Sequence, residues 1–295
     1  MHDPLRPRRS MLYMPGSNRR ALEKARGLPA DGLILDLEDA VAPDQKAAAP
    51  GQIIDALQEG GYGDREVLVR INGLDTQWGL DDIAAIAKTP ADGIVLPKTE
   101  TPDMVRAAAA QLDSNGAGHF AVWCMMETPG GILRAADIAA APKVGGLIMG
   151  TNDLAKELRC RQTPGRDAFL VSFGLCILAA RAAGIAVIDA VHTDLADDEG
   201  FAASCRQGRT LGFDGKSLIH PKTITAANGA YSPTAEEIAW ARKITAAFED
   251  APAGQAVIVV DGQMIEDLHV TEARGLIAMA ERIDRLAAAA GEKAQ

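Results

Sequence analysis

The chain has 295 residues, 47% of them hydrophobic and 24% charged, enough to bury a sizeable core as one large α/β barrel or two smaller domains. Its formal net charge of -10 argues against a nucleic-acid backbone as partner, because nothing offsets the phosphate repulsion, whereas a small anionic ligand needs only a local group of Arg and Lys. No run of about 18 apolar residues occurs and the first residues lack an apolar signal-peptide core, so a cytoplasmic protein with no membrane partner is expected. The four cysteines, Cys124, Cys160, Cys176 and Cys205, are widely spaced with no Cys-x-x-Cys pair, which reads as reduced thiols and not as a zinc site.

Short β-rich runs alternate with helical periodicity along the chain. Strands are predicted over residues 10–14, 32–35, 67–71, 93–96, 120–125, 146–149, 186–188 and 213–217. Between them lie amphipathic helices over 18–26, 81–87, 102–112, 131–139, 168–183 and 199–211, several followed by a glycine such as Gly27, Gly184 or Gly212. Eight such units suit a TIM (β/α)8 barrel closed by right-handed parallel crossovers. A doubly wound open sheet is the rival, but no Gly-x-Gly-x-x-Gly turn follows the first strand. Beyond residue 230 the alternation stops, leaving a helix over 234–248, a strand over 256–260, the Asp261-Gly262 turn and a last helix over 271–289. The expected organisation is a barrel over residues 1–230 with a helix-strand-helix extension over 231–295.

In a barrel of this kind, side chains at the C-terminal ends of the strands converge on one site. Here the second strand runs into Asp36, Glu38 and Asp39, the third into Arg70 and Asn72, and the fourth into Lys98. The fifth leads to Glu127, the sixth to Asp153, and the seventh to Asp189 and His192. Each has a plain explanation alone: a helix cap at Asp153, a solvated acid at Glu127, a surface charge at Lys98, a strand brace at Asp189. Their agreement favours a site. Glu127 and Asp153 follow adjacent strands, and two carboxylates completed by ligand oxygens suit Mg2+, with Mn2+ as a substitute. No imidazole or thiolate accompanies them, which disfavours zinc or copper. Arg70 offers a fork for a carboxylate, so the site suits a metal-chelating 2-oxo or 2-hydroxy acid.

The stretches Arg8-Arg9-Ser10-Met11-Leu12-Tyr13-Met14-Pro15-Gly16-Ser17, Leu35-Asp36-Leu37-Glu38-Asp39-Ala40-Val41, Val69-Arg70-Ile71-Asn72, Leu96-Pro97-Lys98, Met126-Glu127-Thr128-Pro129-Gly130, Gly150-Thr151-Asn152-Asp153-Leu154 and Lys216-Ser217-Leu218-Ile219-His220-Pro221 together resemble the citrate lyase β-subunit-like family. That family belongs with the HpcH/HpaI aldolases and includes malyl-CoA, citramalyl-CoA and citryl-CoA lyases and malyl-CoA thioesterases. The resemblance runs from Arg8 to about Arg285. It implies a barrel that binds Mg2+ through Glu127 and Asp153, with Arg70 holding the carboxylate or oxo group of the acid. It implies CoA-side and substrate contacts from residues 9–17, Arg9 and Tyr13 among them, and from Lys98. Asp36, Glu38 and Asp39 match an acidic motif that would orient metal waters, with Asp189 either joining them or bracing a strand. A homotrimer or hexamer is implied, in which the C-terminal extension reaches over a neighbouring subunit's barrel.

In that family the last catalytic group is an aspartate in a Met-Ile-Asp motif delivered by the neighbour. Here the aligned tripeptide is Met264-Ile265-Glu266, followed by Asp267, so the acid/base is expected to be Glu266 or, if the segment shifts by one residue, Asp267. The expected activity is Mg2+-dependent cleavage of a 3-hydroxyacyl-CoA such as malyl-CoA, citramalyl-CoA or citryl-CoA into an acyl-CoA and an oxo acid. The alternatives are a malyl-CoA thioesterase in which the carboxylate activates water, a citryl-CoA lyase subunit of a citrate lyase complex with an acyl-carrier partner, and a non-catalytic CoA-ester-binding subunit. His192, His220 and Lys216 also stand near strand ends, His220-Pro221 reading as a structural turn.

Overall fold

A computed structural model describes residue 3 and residues 5–252 and 256–292. Residues 8–231 form one compact unit, and the residues from 232 onward fall in a second. The first unit has the parallel strands β1 (Ser10–Pro15), β2 (Gly32–Asp36), β3 (Glu66–Arg70), β4 (Gly93–Leu96), β5 (Ala121–Met126), β6 (Val144–Met149), β7 (Ala186–Asp189) and β8 (Gly215–Leu218). They pair in chain order, and β8 returns to β1 through the register Ser10 with Lys216 and Leu12 with Leu218, so the barrel is closed.

The connecting helices are α1 (Arg19–Ala25), α2 (Ala49–Glu59), α3 (Gly79–Ile86), α4 (Pro102–Ser114), α5 (Pro129–Leu133), α6 (Ala135–Ala139), α7 (Thr151–Leu158), α8 (Leu170–Ala183), α9 (Asp198–Leu211) and α10 (Ile224–Tyr231). Three of these, α2, α7 and α10, were not among the helices predicted; α2 and α7 have no side-chain cap at their start, so the usual start signal is missing from the sequence. The helix predicted over 131–139 is instead two short ones, because Arg134 leaves helical geometry (φ -111°, ψ 16°) and the Thr128 hydroxyl caps the first of the pair.

Strand periodicity sorts the core into two shells. Met11, Ile34, Leu68, Val95, Trp123, Met125, Ile148, Ala186 and Ile188 point inward and fill the barrel. Leu12, Leu33, Val67, Val69, Ile94, Val122, Leu147 and Val187 point outward into a second, larger cluster under the helices. Trp123 is the largest interior side chain, and it lies on the backbone of Gly146, where any Cβ would strike the indole ring.

The second unit contains α11 (Ala235–Glu249), β9 (Val257–Val260), β10 (Gln263–Glu266) and α12 (Asp267–Glu292). A full capping box, Thr234 with Glu237, starts α11. The extension is therefore helix, hairpin and helix; the single predicted strand has an antiparallel partner, and the last helix begins at Asp267 and not at 271. Asp261 (φ 49°) and Gly262 (φ 79°) form the two-residue turn between the strands. Ile258, Val260, Ile265 and Val270 pack with Ala241 and Ile244 into this unit's own small core. Among the described residues, no helix is long and apolar enough to cross a membrane.

Because the indole of Trp123 occupies the space over Gly146, Gly146→Ala should overpack the barrel interior. The expected loss is about 1–3 kcal/mol, read as a lower urea midpoint at unchanged slope. A midpoint equal to that of the unmodified protein would show that the interior has room to spare.

Candidate active site

The alternation that fills the barrel also aims its polar residues. Tyr13, Asp36, Arg70 and Glu127 each lie two residues beyond an inward-facing Met11, Ile34, Leu68 or Met125, so they continue the interior rows at the C-terminal mouth. There they line one cavity of about 320 Å3 together with Asp153.

Arg70 is the best-held group in the cavity. Its Nε and Nη2 donate to Asp36 Oδ1 and Oδ2 at 2.7 and 2.5 Å, a bidentate pair that is buried on both sides. Nη1 lies 2.9 Å from Glu38 Oε2 and 3.4 Å from Asp39 Oδ2, and the guanidinium sits 4.8 Å from the centroid of the Tyr13 ring. This corrects the expectation that its fork is open to a substrate carboxylate: Asp36 already occupies the fork, and only the Nη1 edge faces Glu38 and Asp39. Asp36 also accepts the backbone N–H groups of Glu38 and Ala40, at 2.9 and 3.1 Å. With all its accepting capacity in use, Asp36 holds Arg70 and the loop after β2 and is not available to orient metal waters. Among the described residues Tyr13 has only the Met125 sulfur, 3.3 Å away, as a hydrogen-bond acceptor, and burial pushes its phenol well above the usual range.

Glu127 is almost wholly buried. Its Oε1 accepts the backbone N–H of Lys98 at 2.7 Å, which is possible because Lys98 adopts a left-handed conformation (φ 45°). The other oxygen, Oε2, lies against Gly150, where an added Cβ would approach it to 2.5 Å. Burial, followed by the like charges of Glu38 and Asp153, outweighs the Lys98 amide and Arg70 and lifts the Glu127 carboxyl to about 7. The Asp153 carboxylate, in the first turn of α7, has no hydrogen bond or ion pair among the described residues.

Around this mouth five carboxylates (Asp36, Glu38, Asp39, Glu127 and Asp153) face two cations, Arg70 and Lys98, and the excess negative charge suits a divalent cation. Among the described residues no group of three or more His, Cys, Asp or Glu converges on one point. The donor set is thus a pair of carboxylates with room beside them, which fits an ion that keeps waters and takes further oxygens from a ligand. Glu127 and Asp153 are the residues that would hold it.

The start of α7 adds a second feature. Gly150 is its N-cap and supplies no side-chain cap, so the first-turn N–H groups beside Thr151, Asn152 and Asp153 are left for a ligand on the cavity side. The Thr151 hydroxyl, on a buried residue lining the same cavity, has no hydrogen-bond partner among the described residues. The chain motif placed Thr151 and Asn152 next to Asp153, but only the structure shows that all three open α7 at the cavity wall.

Several expected site residues lie elsewhere. Arg9 precedes β1 and therefore stands at the opposite, N-terminal end of the barrel, where its guanidinium is held by Asp31 at 2.7 and 2.8 Å. It is not at the mouth. Asp189 follows the inward Ile188 and so points outward, behind the barrel wall, where Arg166 at 2.7 Å and Lys216 at 2.9 Å neutralise it. It is a brace and has no part in the cavity. Lys98 works through its backbone amide, while its ammonium lies half exposed 3.7 Å from Glu38. Glu266 and Asp267 belong to the second unit: Glu266 ends β10, partly buried, and Asp267 opens α12, exposed. Lys46, which no local signal marks, donates to the carbonyls of Leu37 and Glu38 and to Asn72 Oδ1 at 2.7–2.8 Å and so holds the acidic loop in place.

Residues 9–221 match the HpcH/HpaI aldolase/citrate lyase family. Over 278 residues, 94% of this chain and 96% of the relative, the sequence is 49% identical to a (3S)-malyl-CoA thioesterase of Cereibacter sphaeroides strain KD131. It is 35% identical to the citrate lyase subunit beta of Escherichia coli K12 over 284 residues, 94% of each chain. The structure is similar to protein CitE from Mycobacterium tuberculosis in complex with magnesium, acetoacetate and coenzyme A, with TM-score 0.76 and 32% identity, covering 92% of this chain and 97% of that one.

The raised Glu127 carboxyl sets a pH dependence. In the metal-free protein it is protonated below about 7, and a divalent cation needs it ionised, so Mg2+ affinity should fall as pH drops through about 7. Calorimetric titration with Mg2+ at pH 8 and pH 6 checks this, with about tenfold weaker binding expected at the lower value. Stability of the metal-free protein runs the other way. The folded carboxyl binds its proton more tightly than the unfolded one, whose ordinary value is 4.5, so this group destabilises the fold increasingly as pH rises from about 4.5 through about 7.

Proposed function

The chain belongs to the HpcH/HpaI aldolase/citrate lyase family, and from that premise we propose that it is a Mg2+-dependent hydrolase of malyl-CoA or a close 3-hydroxyacyl-CoA. The observation that carries the reading is the Glu127 and Asp153 pair in one cavity, in a chain 49% identical over nearly its full length to proteins named (3S)-malyl-CoA thioesterase.

Bound between Glu127 and Asp153, Mg2+ would supply charge and polarise the oxygens it coordinates. The chain's own groups do the rest. The uncapped amides at the start of α7 and the Thr151 hydroxyl receive the free carboxylate of the acyl group. Arg70, fixed by Asp36 and stacked on Tyr13, presents a positive edge that does not reorganise as negative charge grows on a reacting oxygen. Glu266 of a neighbouring copy takes a proton from water as the water oxygen bonds to the thioester carbon; the carbon–sulfur bond then breaks, Glu266 gives that proton to the departing sulfur, and malate and the CoA thiol are released.

A carbon–carbon cleavage is the second reading, supported by the 35% identity to citrate lyase subunit beta. The cavity would then hold the same ester, but the hydroxyl proton would pass to solvent, the bond between the two oxygen-bearing halves would break, and protonated Glu266 would deliver its proton to the enolate carbon. The two readings differ only in whether the carboxylate addresses water or carbon.

Delivery of Glu266 by a neighbour is part of the proposal, in a homo-oligomer such as a trimer or hexamer. The face of the β9–β10 hairpin that carries Val259 (72% exposed) and Met264 (60% exposed) is apolar, and Leu268 on α12 is exposed too. On the barrel unit the outer side of α8 exposes Val171, Leu175 and Leu178. Apolar surfaces of this kind are a reason for self-association.

Incubation with malyl-CoA and Mg2+ should give free malate and CoA; glyoxylate with acetyl-CoA would replace this reading by the lyase one. Glu127→Ala and Glu266→Ala should each lower turnover by at least about 100-fold. Mixing the two inactive variants, after exchange of subunits, should recover part of the activity, because only a mixed oligomer pairs an intact Glu127 with an intact Glu266 from its neighbour. No recovery from an oligomer shown to have exchanged would overturn delivery in trans.

A further inference from the structure

Glu266 occupies an unusual position for a reactive carboxylate. It is the last residue of β10 and directly precedes α12, which makes it the N-cap of a 26-residue helix. N-caps are normally Ser, Thr, Asp or Asn, whose side chains are consumed in bonding the orphan amides of the first turn. The α11 start in the same unit does this conventionally: the Thr234 hydroxyl accepts the Glu237 amide, and the Glu237 carboxylate accepts the Thr234 amide at 2.7 Å. The α12 start has only the returning half of that arrangement, and a histidine makes it. The Glu266 backbone N–H donates to His269 Nδ1 at 2.9 Å. The Glu266 carboxylate itself has no hydrogen bond or ion pair among the described residues.

We infer that His269 is a positioning residue: its imidazole accepts the Glu266 backbone N–H and so fixes the segment from which the Glu266 carboxylate, unbonded among the described residues, is offered for chemistry. The inference rests on the reading of Glu266 as the acid/base. In this hydrogen bond Nδ1 is the acceptor. Asp267 has a different assignment. At the first helical position its negative charge favours the positive end of α12, a role that needs no reacting partner. Of the two adjacent carboxylates, Glu266 is the one whose backbone N–H a side chain holds.

The test compares His269→Leu, His269→Gln and Glu266→Ala in the full-length chain, with malyl-CoA turnover in Mg2+ measured on all three and hydrogen exchange of the residue-266 amide measured on the His269 variants. In His269→Leu that amide should exchange about fivefold faster. Its kcat should fall on the order of tenfold to 100-fold while KM stays within about twofold, because a misplaced acid/base is felt in the chemical step and not in binding. His269→Gln supplies the acceptor usual at this position and should bring both measurements back to within about threefold of the unmodified protein. Unchanged amide exchange in His269→Leu, or a His269→Gln variant no better than His269→Leu, overturns the hold on the Glu266 backbone. Unchanged kcat in His269→Leu beside an inactive Glu266→Ala overturns the positioning and leaves Glu266 standing as the acid/base. An active Glu266→Ala removes the acid/base reading itself and the inference with it.

Discussion

Closing eight parallel strands into a ring leaves a side chain two destinations, the barrel interior or the sheath of helices, and these alternate along each strand. Nearly everything at the mouth follows from that constraint. Tyr13, Asp36 and Arg70 face one another because Met11, Ile34 and Leu68, two residues earlier, already face inward. Asp189 has the same chemistry as Asp36, yet it stands one residue out of phase and spends its charge on Arg166 and Lys216 behind the wall. A single step along a strand separates a cavity residue from a buried brace.

The electrostatics of the mouth divide in two. On one side Asp36 fills the Arg70 fork and fixes the guanidinium, leaving its Nη1 edge toward Glu38 and Asp39. On the other, Glu127 and Asp153 are carboxylates with little compensation, and burial, with the like charges of Glu38 and Asp153, raises the Glu127 carboxyl to about 7. The unfavourable charge sits where the proposed cation would relieve it. The left-handed turn at Lys98 and the bare backbone of Gly150 are the local means, since one brings an amide to Glu127 Oε1 and the other clears space for Oε2.

Much of this was legible in the sequence. All eight strands were found to within two residues, because buried parallel strands are short apolar runs set between helical segments. Glu127, Asp153, Arg70 and Asp36 were located by their place just after those runs. What could not be read was pairing at a distance: that Asp36 fills the Arg70 fork, or that Lys46 reaches the carbonyls of Leu37 and Glu38 and the side chain of Asn72. Arg9 was misplaced because a motif says which residues occur together but not which end of the barrel they occupy. The second strand of the hairpin was missed, although Asp261-Gly262 between apolar runs is a hairpin signal in its own right.

That hairpin has a further bearing on the end of the chain. A two-residue turn admits one register, pairing Val260 with Gln263 and Val257 with Glu266, and in that register Ile265 goes to the small core while Glu266 faces the other way. Insertion or deletion of one residue at the turn would exchange the two, burying a carboxylate and presenting an isoleucine. Asp261 and Gly262 therefore act as a phase marker for everything that follows them. The chemical identity of the group offered at residue 266 is decided at the bend, before the strand that carries it begins.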